Sequence, residues 1–402
     1  MGRLSIPSLS EAFLERVAAV SRAELGLDHL AGARLVEGVA TVSRRYTLER
    51  AELAELQGDA QWLSARLQFF LPRDLLKLHG PLSELASVAA LPRKRRWRVL
   101  DLGAGVGATS LGVARFAALS GSADSLDVTA VDVDSEALAL FQALHADLRA
   151  LPGAPMQLTT QVADLTSWLR SAARGGPYDL IVLGLVLNEL RGERDDARLR
   201  HVCELTQLLD PEGALIIIEP ALRETSRSLH VLRDALAARD AAPYVFAPCL
   251  RTAACPMLAR PRDFCHERLP CDLPASLAAV AAGAGLRERD LTYSYLTLTP
   301  APRSLRELAS SDETLFRAVS GQLESKGKTE VWLCGQSAAP RAQRLDRQRT
   351  DQNAELELAE RGCVLRVSSA DPATPTGLLR IGKAVEVAVL QRWERRRDPA
   401  TT

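Results

Sequence analysis

Two groups of residues in this 402-residue chain have types and spacings that can do chemistry. The first is "VLDLGAGVGATSLGV" (99–113), where Asp101 precedes Gly103, Gly105 and Gly107. Glycines at such a place permit a tight strand-to-helix turn and let a ligand reach the backbone where the helix begins. Asp132 and Asp164 end the next two β-rich runs. A carboxylate at the first position can accept both hydroxyls of a ribose, and one at the second flanks an adenine. The second group is sulfur. "APCLRTAACPMLARPRDFCHERLPC" (247–271) holds Cys249, Cys255, Cys265 and Cys271, four of the seven cysteines. Their Cys-x5-Cys-x9-Cys-x5-Cys spacing lacks the short knuckles of zinc ribbons and the CxxCxxC run of bacterial ferredoxins. Spacing alone leaves structural zinc, an iron–sulfur cluster and plain packing open.

The elements that must position these groups follow from periodicity. Residues 1–90 read as a helical region: "SEAFLERVAAVSRAEL" and "LERAELAELQGDAQWLSARLQFFL" repeat apolar residues at three and four, and Pro72 is expected to break the second run. From 97 the period changes to short β-rich runs, "WRVLDLG", "LDVTAVDVD", "MQLTTQVAD", "YDLIVLGLV" and "GALIIIEP", with helical stretches between the first three. That alternation predicts an α/β fold, a parallel doubly wound Rossmann-like sheet. "LTYSYLTLT" and "KTEVWLCGQ" are expected to join the same sheet, giving a domain over 91–336 with a Cys-rich insertion at 242–272. "AELELAERGCVLRVSSA" and "GLLRIGKAVEVAVL" predict a small β-rich C-terminal appendage and basic tail over 337–402.

Fifty basic and fifty acidic side chains cancel, so overall charge points to no polyanion; nucleic-acid contact would need local patches such as "RKRRWR" (93–98) or "RWERRR" (392–397). The plainer reading of each is a solvated face beside a strand, or a tail. The N-terminus lacks a long apolar core and carries Glu11 and Glu15, unlike a secretory signal. The longest apolar run, "LIVLGLVL" (180–187), is too short to cross a bilayer. The expectation is a cytoplasmic monomer away from membranes, where clustered cysteines are more often metal-binding or catalytic than disulfide-bonded.

Asp101 before the glycines resembles motif I of class I S-adenosylmethionine (SAM) methyltransferases, with Asp132 matching the ribose acid and Asp164 the adenine-side acid. The plain alternative keeps the glycines for packing. No catalytic residue is evident. Asn188 and Glu189, in "LVLNELRGE", are weak candidates near the sheet's carboxyl edge, and a helix-start role is equally open to them. Pro248-Cys249 superficially resembles the nucleophile of cytosine-C5 methyltransferases, but it follows the fifth strand rather than the fourth.

A wider resemblance runs from about residue 35 to 336, through "SRRYT", "WLSARLQFFLPR", "VLDLGAGVGATS", "VLNEL", "IIIEP", "APCLRTAACPML...DFCHE", "SYLTLTP" and "KGKTEVWLCG". It is to the mitochondrial small-ribosomal-subunit methyltransferase-like family, which also has bacterial members. The resemblance implies a SAM-binding protein that acts on or assembles the small ribosomal subunit and its rRNA, with a four-cysteine iron–sulfur site of the [4Fe–4S] type. Carried over by position, Cys249, Cys255, Cys265 and Cys334 are its ligands. Cys271 is the rival fourth ligand, and His266 an optional one. Cys203 and Cys363 read as small core residues. The chain departs from the family after Cys334, where "RAQRLDRQRTDQNAELELAERG" replaces a basic, glycine- and tyrosine-containing segment. Two other readings stand beside this one: a small-molecule SAM methyltransferase with structural zinc, and a non-enzymatic ribosome assembly factor.

Overall fold

The computed structural model describes residues 2–26, 32–47, 59–148, 154–171, 175–187, 195–239, 241–310, 314–368 and 377–394. The N-terminal region holds a short strand β1 (Gly2–Leu4) and helices α1 (Glu11–Leu25), α2 (Ala33–Thr47) and α3 (Ala60–Ala65). Ser10 caps α1 by accepting the Phe13 N–H at 3.2 Å. A π-helical turn, Arg66–Phe70, follows α3 and leads into α4 (Leu71–Asp74), a 3-10 turn and α5 (His79–Ser87). Pro72 therefore does not end the helical run. It sits in the first turn of α4, just after the widened π turn, where a missing N–H breaks no helical bond.

The next stretch builds a sheet covered on both faces. Its elements are β2 (Arg96–Leu102), α6 (Ala108–Ser120), β3 (Ser125–Asp132), α7 (Ser135–Leu148), β4 (Met156–Val162), α8 (Leu165–Arg170), β5 (Tyr178–Gly184), α9 (Asp195–Thr206), β6 (Leu209–Pro220), α10 (Arg223–Ala237), β7 (Tyr244–Ala247), β8 (Glu267–Pro270), α11 (Ala275–Gly283) and β9 (Asp290–Thr299). The order is β4-β3-β2-β5-β6-β9-β7, with β8 also paired to β9. β2 to β6 run parallel, whereas β9 is antiparallel to β6, and β7 and β8 are antiparallel to β9. The sheet is thus mixed rather than wholly parallel. Trp97 and Val99 of β2 pack with the N-terminal helices, α6 and α7 on one face. Leu100 and Leu102 alternate to the other face, against α8, α9 and α10.

A second sheet follows: β10 (Leu315–Ala318), β11 (Leu323–Ser325), β12 (Lys328–Gly335), β13 (Arg341–Leu345), β14 (Val364–Val367), β15 (Leu378–Arg380) and β16 (Val387–Trp393). Its order is β1-β16-β14-β10-β12-β13-β15, with β11 on β12. "KTEVWLCGQ", expected in the first sheet, forms β12 in the middle of this one. Short connections hand it the antiparallel partners β11 and β13, which local pairing favours. "AELELAERG" is a 3-10 turn, Asp351–Leu358, begun by a reciprocal Thr350–Asn353 cap.

Basic residues 93–98 face acids across the sheet edge. Lys94 reaches Asp179 and Asp210 at 2.9 and 2.7 Å, Arg96 pairs with Asp127 at 2.6 Å, and Arg95 pairs with Asp124. Trp97 is fully buried. The run is a neutralised surface beside a strand. Half of "RWERRR", residues 395–397, lies outside the described residues. No helix among the described residues is long and apolar enough to cross a membrane.

The two sheets meet at a buried ion cluster. Arg317 of β10 donates to Glu267 of β8 at 3.0 Å, to Glu84 of α5 at 2.8 Å and to the Tyr295 hydroxyl of β9 at 3.2 Å. The Tyr295 hydroxyl donates to Glu84 in turn. Burial alone would weaken the guanidinium's hold on its proton, but Glu267 and Glu84 outweigh it and raise the pKa well above normal. Replacing Arg317 by Met leaves two carboxylates buried without a cation, so denaturant unfolding should show a loss of about 3–5 kcal/mol. A loss below about 1 kcal/mol would mean that the cluster does not hold the sheets together.

Candidate functional site

The carboxyl edge of the first sheet opens into a cavity of about 800 Å³. Leu102 to Val106, Asp132 and Asp164 line it, together with residues of α2, α3 and the π turn. Gly103 and Gly105 have φ of +74° and +52°, which β-carbon-bearing residues rarely adopt. A β-carbon on Gly103 would lie 2.6 Å from Val186, and one on Gly105 would lie 2.6 Å from the Arg66 guanidinium and 3.9 Å from Asp132. Glycine is required at both positions because protein side chains pack against the turn, which also lines the cavity.

Asp132 Oδ2 accepts the Gly105 N–H at 2.7 Å and Oδ1 accepts the Asp134 N–H at 2.9 Å, which fixes the carboxylate at the cavity edge. Each oxygen keeps a lone pair for a ligand hydroxyl. Asp164 caps α8, accepting from Ser167 N at 2.9 Å and Thr166 Oγ1 at 2.6 Å, and these bonds hold its pKa below the usual carboxylate range. Asp101 is placed differently. It is fully buried beneath the turn, and its Oδ2 accepts from Thr109 Oγ1, Ser110 Oγ and Ser110 N at 2.5, 2.5 and 3.0 Å. That ties the end of β2 to the start of α6. Among the described residues its Oδ1 has no partner. Gly107 opens α6. Asn188 and Glu189 lie outside the described residues.

A second, small cavity of about 40 Å³ lies against α10. Cys249, Cys255 and Cys265 line it from the loop, Cys334 lines it from β12, and His230 and His266 flank them. Cys334 gets there because it pairs in register with Arg317 on β10. Cys271 is elsewhere, in the core shared with the N-terminal helices. Cys203 sits half-buried on α9 and Cys363 in the core of the second sheet. Among the described residues, no group of three or more His, Cys, Asp or Glu side chains is arranged to hold a metal ion as the side chains stand. Burial raises the pKa of all four cavity thiols, Cys255 to about 11.

One face of α10 organises this loop. Arg227 donates to the carbonyls of Met257, Arg260 and Asp263 at 3.0, 2.8 and 2.8 Å. Arg233 donates to Ala253 O at 2.7 Å and to Arg251 O. Asp234 accepts the Cys255 N–H at 2.8 Å, and His230 accepts the Cys265 N–H at 3.0 Å. Burial keeps His230 neutral, its pKa lowered to about 4. The sequence reading missed these four residues. The signal was present: they recur at three- and four-residue spacing on a helix whose opposite face, Leu229, Leu232 and Leu236, packs on the sheet.

Burial raises the Asp101 pKa to about 6, against the pull of its bonds to Ser110 and Thr109. A raised carboxyl pKa adds stability that is full below the unfolded value near 4 and lost as pH climbs through 6. Comparing the unfolding free energy of wild type and Asp101→Asn from pH 4 to 7 should show an extra decline in wild type of up to about 3 kcal/mol. Parallel pH profiles would contradict the assignment.

The comparisons give structures and one family. An arsenic(III) SAM methyltransferase of Chlamydomonas reinhardtii is 15% identical, covering 60% of this chain and 83% of its own, with a TM-score of 0.32. Phosphoethanolamine N-methyltransferase 1 of Haemonchus contortus, in complex with phosphoethanolamine and S-adenosylhomocysteine, is 12% identical, covering 68% and 51%, with a TM-score of 0.30. No curated protein sequence gives a significant match. A family model described as mitochondrial small ribosomal subunit Rsm22 matches residues 78–351, a span that runs from α5 through both cavities and beyond Cys334. The chain belongs to that family.

Proposed function

We propose that the chain binds SAM in the large cavity and acts as a methyltransferase-like protein on the small ribosomal subunit and its RNA. The observation that carries this reading is a glycine turn that lines the large cavity beside a backbone-fixed Asp132 at the carboxyl edge of a doubly wound sheet. The donor set fits the cofactor. In this reading Asp132 takes the ribose hydroxyls and Asp164 flanks the adenine. The unpartnered, buried Oδ1 of Asp101 is the oxygen that a cationic amino group would satisfy, directly or through water. When bound, SAM supplies a methyl group made electrophilic by its sulfonium. The protein's task is then to align a nucleophile with it and keep water out. The ribosomal part of the reading rests on membership of the matched family.

The four cavity thiols support a structural metal centre, a [4Fe–4S] cluster held by Cys249, Cys255, Cys265 and Cys334. The donor set fits: four sulfurs share one cavity, and the positive charge of Arg233 lowers the cost of thiolates at Cys249 and Cys334. Holding the centre requires the thiols to close on a common point. Methyl transfer from SAM moves no electron, so the centre's role is to clamp the loop to the second sheet.

Calorimetric titration with S-adenosylhomocysteine should show binding in wild type and a loss of at least about tenfold in Asp132→Ala, the size expected when a paired hydrogen-bond acceptor is removed. Co-sedimentation with small ribosomal subunits should fall steeply as salt rises, because phosphate contacts release counterions. No binding of S-adenosylhomocysteine, or sedimentation indifferent to salt, would sink the corresponding half of the proposal.

A further inference from the structure

The proposed cofactor site uses strand ends and the glycine turn of the large cavity. Its lining also includes the N-terminal helices, before the stretch that the family model matches, and Arg66 of their π turn reaches the glycine turn itself. The π turn sends Leu67 and Phe69 into the core and leaves Arg66 and Phe70 on the cavity. π turns inside helices are frequent at functional sites. Phe70 and Tyr46, both half-buried, stand edge to face at 6.2 Å, and Trp62 backs Tyr46 at 5.1 Å. Three cations reach the same part of the lining. Arg66 is paired with Asp134 at 3.1 Å and Lys77 with Asp74 at 2.7 Å. Arg73 has no carboxylate within ion-pair distance among the described residues. It donates to Arg287 O at 3.2 Å, lies over Phe69 at 5.0 Å, and its Nε is buried without a partner.

A part-buried cation whose nearby Asp74 is already paired with Lys77 has room for an anion, and half-buried rings beside it offer a stacking face. Together they match a nucleotide: a flat base on one end and a phosphate on the other. A base inside a duplex cannot reach such a wall; an unpaired or flipped one can.

We propose that this wall is a subsite for one unpaired ribonucleotide, with Tyr46 stacking its base, Phe70 against the base's edge and Arg73 taking its phosphate. The inference rests on the proposed SAM site in the same cavity, which would set the base beside the methyl donor.

The test is fluorescence anisotropy of a labelled single-stranded RNA of about ten nucleotides with the full chain, in the presence of excess S-adenosylhomocysteine. Tyr46→Ala and Arg73→Gln should each weaken binding about tenfold. Tyr46→Phe and Arg73→Lys should recover much of it, and thermal melts of all four variants verify folding. Competition by cytidine 5′-monophosphate supports the subsite with a free nucleotide as the source; competition only by unlabelled strand supports it with RNA as the source. Wild-type affinity in the alanine and glutamine variants, or equal affinity for a duplex of the same sequence, overturns the inference. S-adenosylhomocysteine titration of the same samples keeps the two readings apart. Variant-sensitive RNA binding without it would remove the cofactor site alone, and its binding with variant-insensitive RNA affinity would remove the subsite alone.

Discussion

Arg317 is the interaction on which the rest of the arrangement depends. Its guanidinium is buried between a helix of the N-terminal region, a strand that leaves the cysteine loop and the second sheet. A buried cation of this kind is stable only with its carboxylates in place, so the three parts can be assembled in one relative position and not in neighbouring ones. The consequence is geometric. The register opposite Arg317 brings Cys334 to the loop thiols, and Glu84 ties α5, at the end of the N-terminal helices, to the second sheet.

Much of the first sheet was legible in the sequence. "WRVLDLG", "LDVTAVDVD" and "YDLIVLGLV" read clearly as apolar and β-branched runs: β5 is buried on both faces, and β2 and β3 bury alternate residues over part of their length. The fate of "KTEVWLCGQ" was not legible. A buried strand looks the same in any sheet, and what put β12 in the second one was the short connections to β11 and β13. Pro72 misled for a related reason: the π turn before it lets the helical run continue, and periodicity carries no sign of such a turn.

The glycines and Asp132 were readable because a glycine turn and a strand-end carboxylate leave a fixed spacing. Asp101 was readable as a residue but not as a placement, since the sequence cannot tell an acid aimed at a ligand from one spent on tying Thr109 and Ser110 to the strand. The convergence of Cys249, Cys255 and Cys265 with the distant Cys334 came from family resemblance; spacing pointed as readily to Cys271. The polar face of α10 was overlooked because Arg227, His230, Arg233 and Asp234 read as a solvated helix surface, whereas they are the frame of the loop.

The proposed four-sulfur centre requires that the second sheet deliver Cys334 to the three loop thiols. The most direct measurement is the iron, acid-labile sulfide and zinc content of anaerobically purified protein, for wild type, Cys334→Ser and Cys271→Ser. Iron and sulfide in equal amounts in wild type and Cys271→Ser, and their loss in Cys334→Ser, is the expected result. A colourless wild-type protein without either, or a Cys334→Ser protein that keeps both, would contradict it.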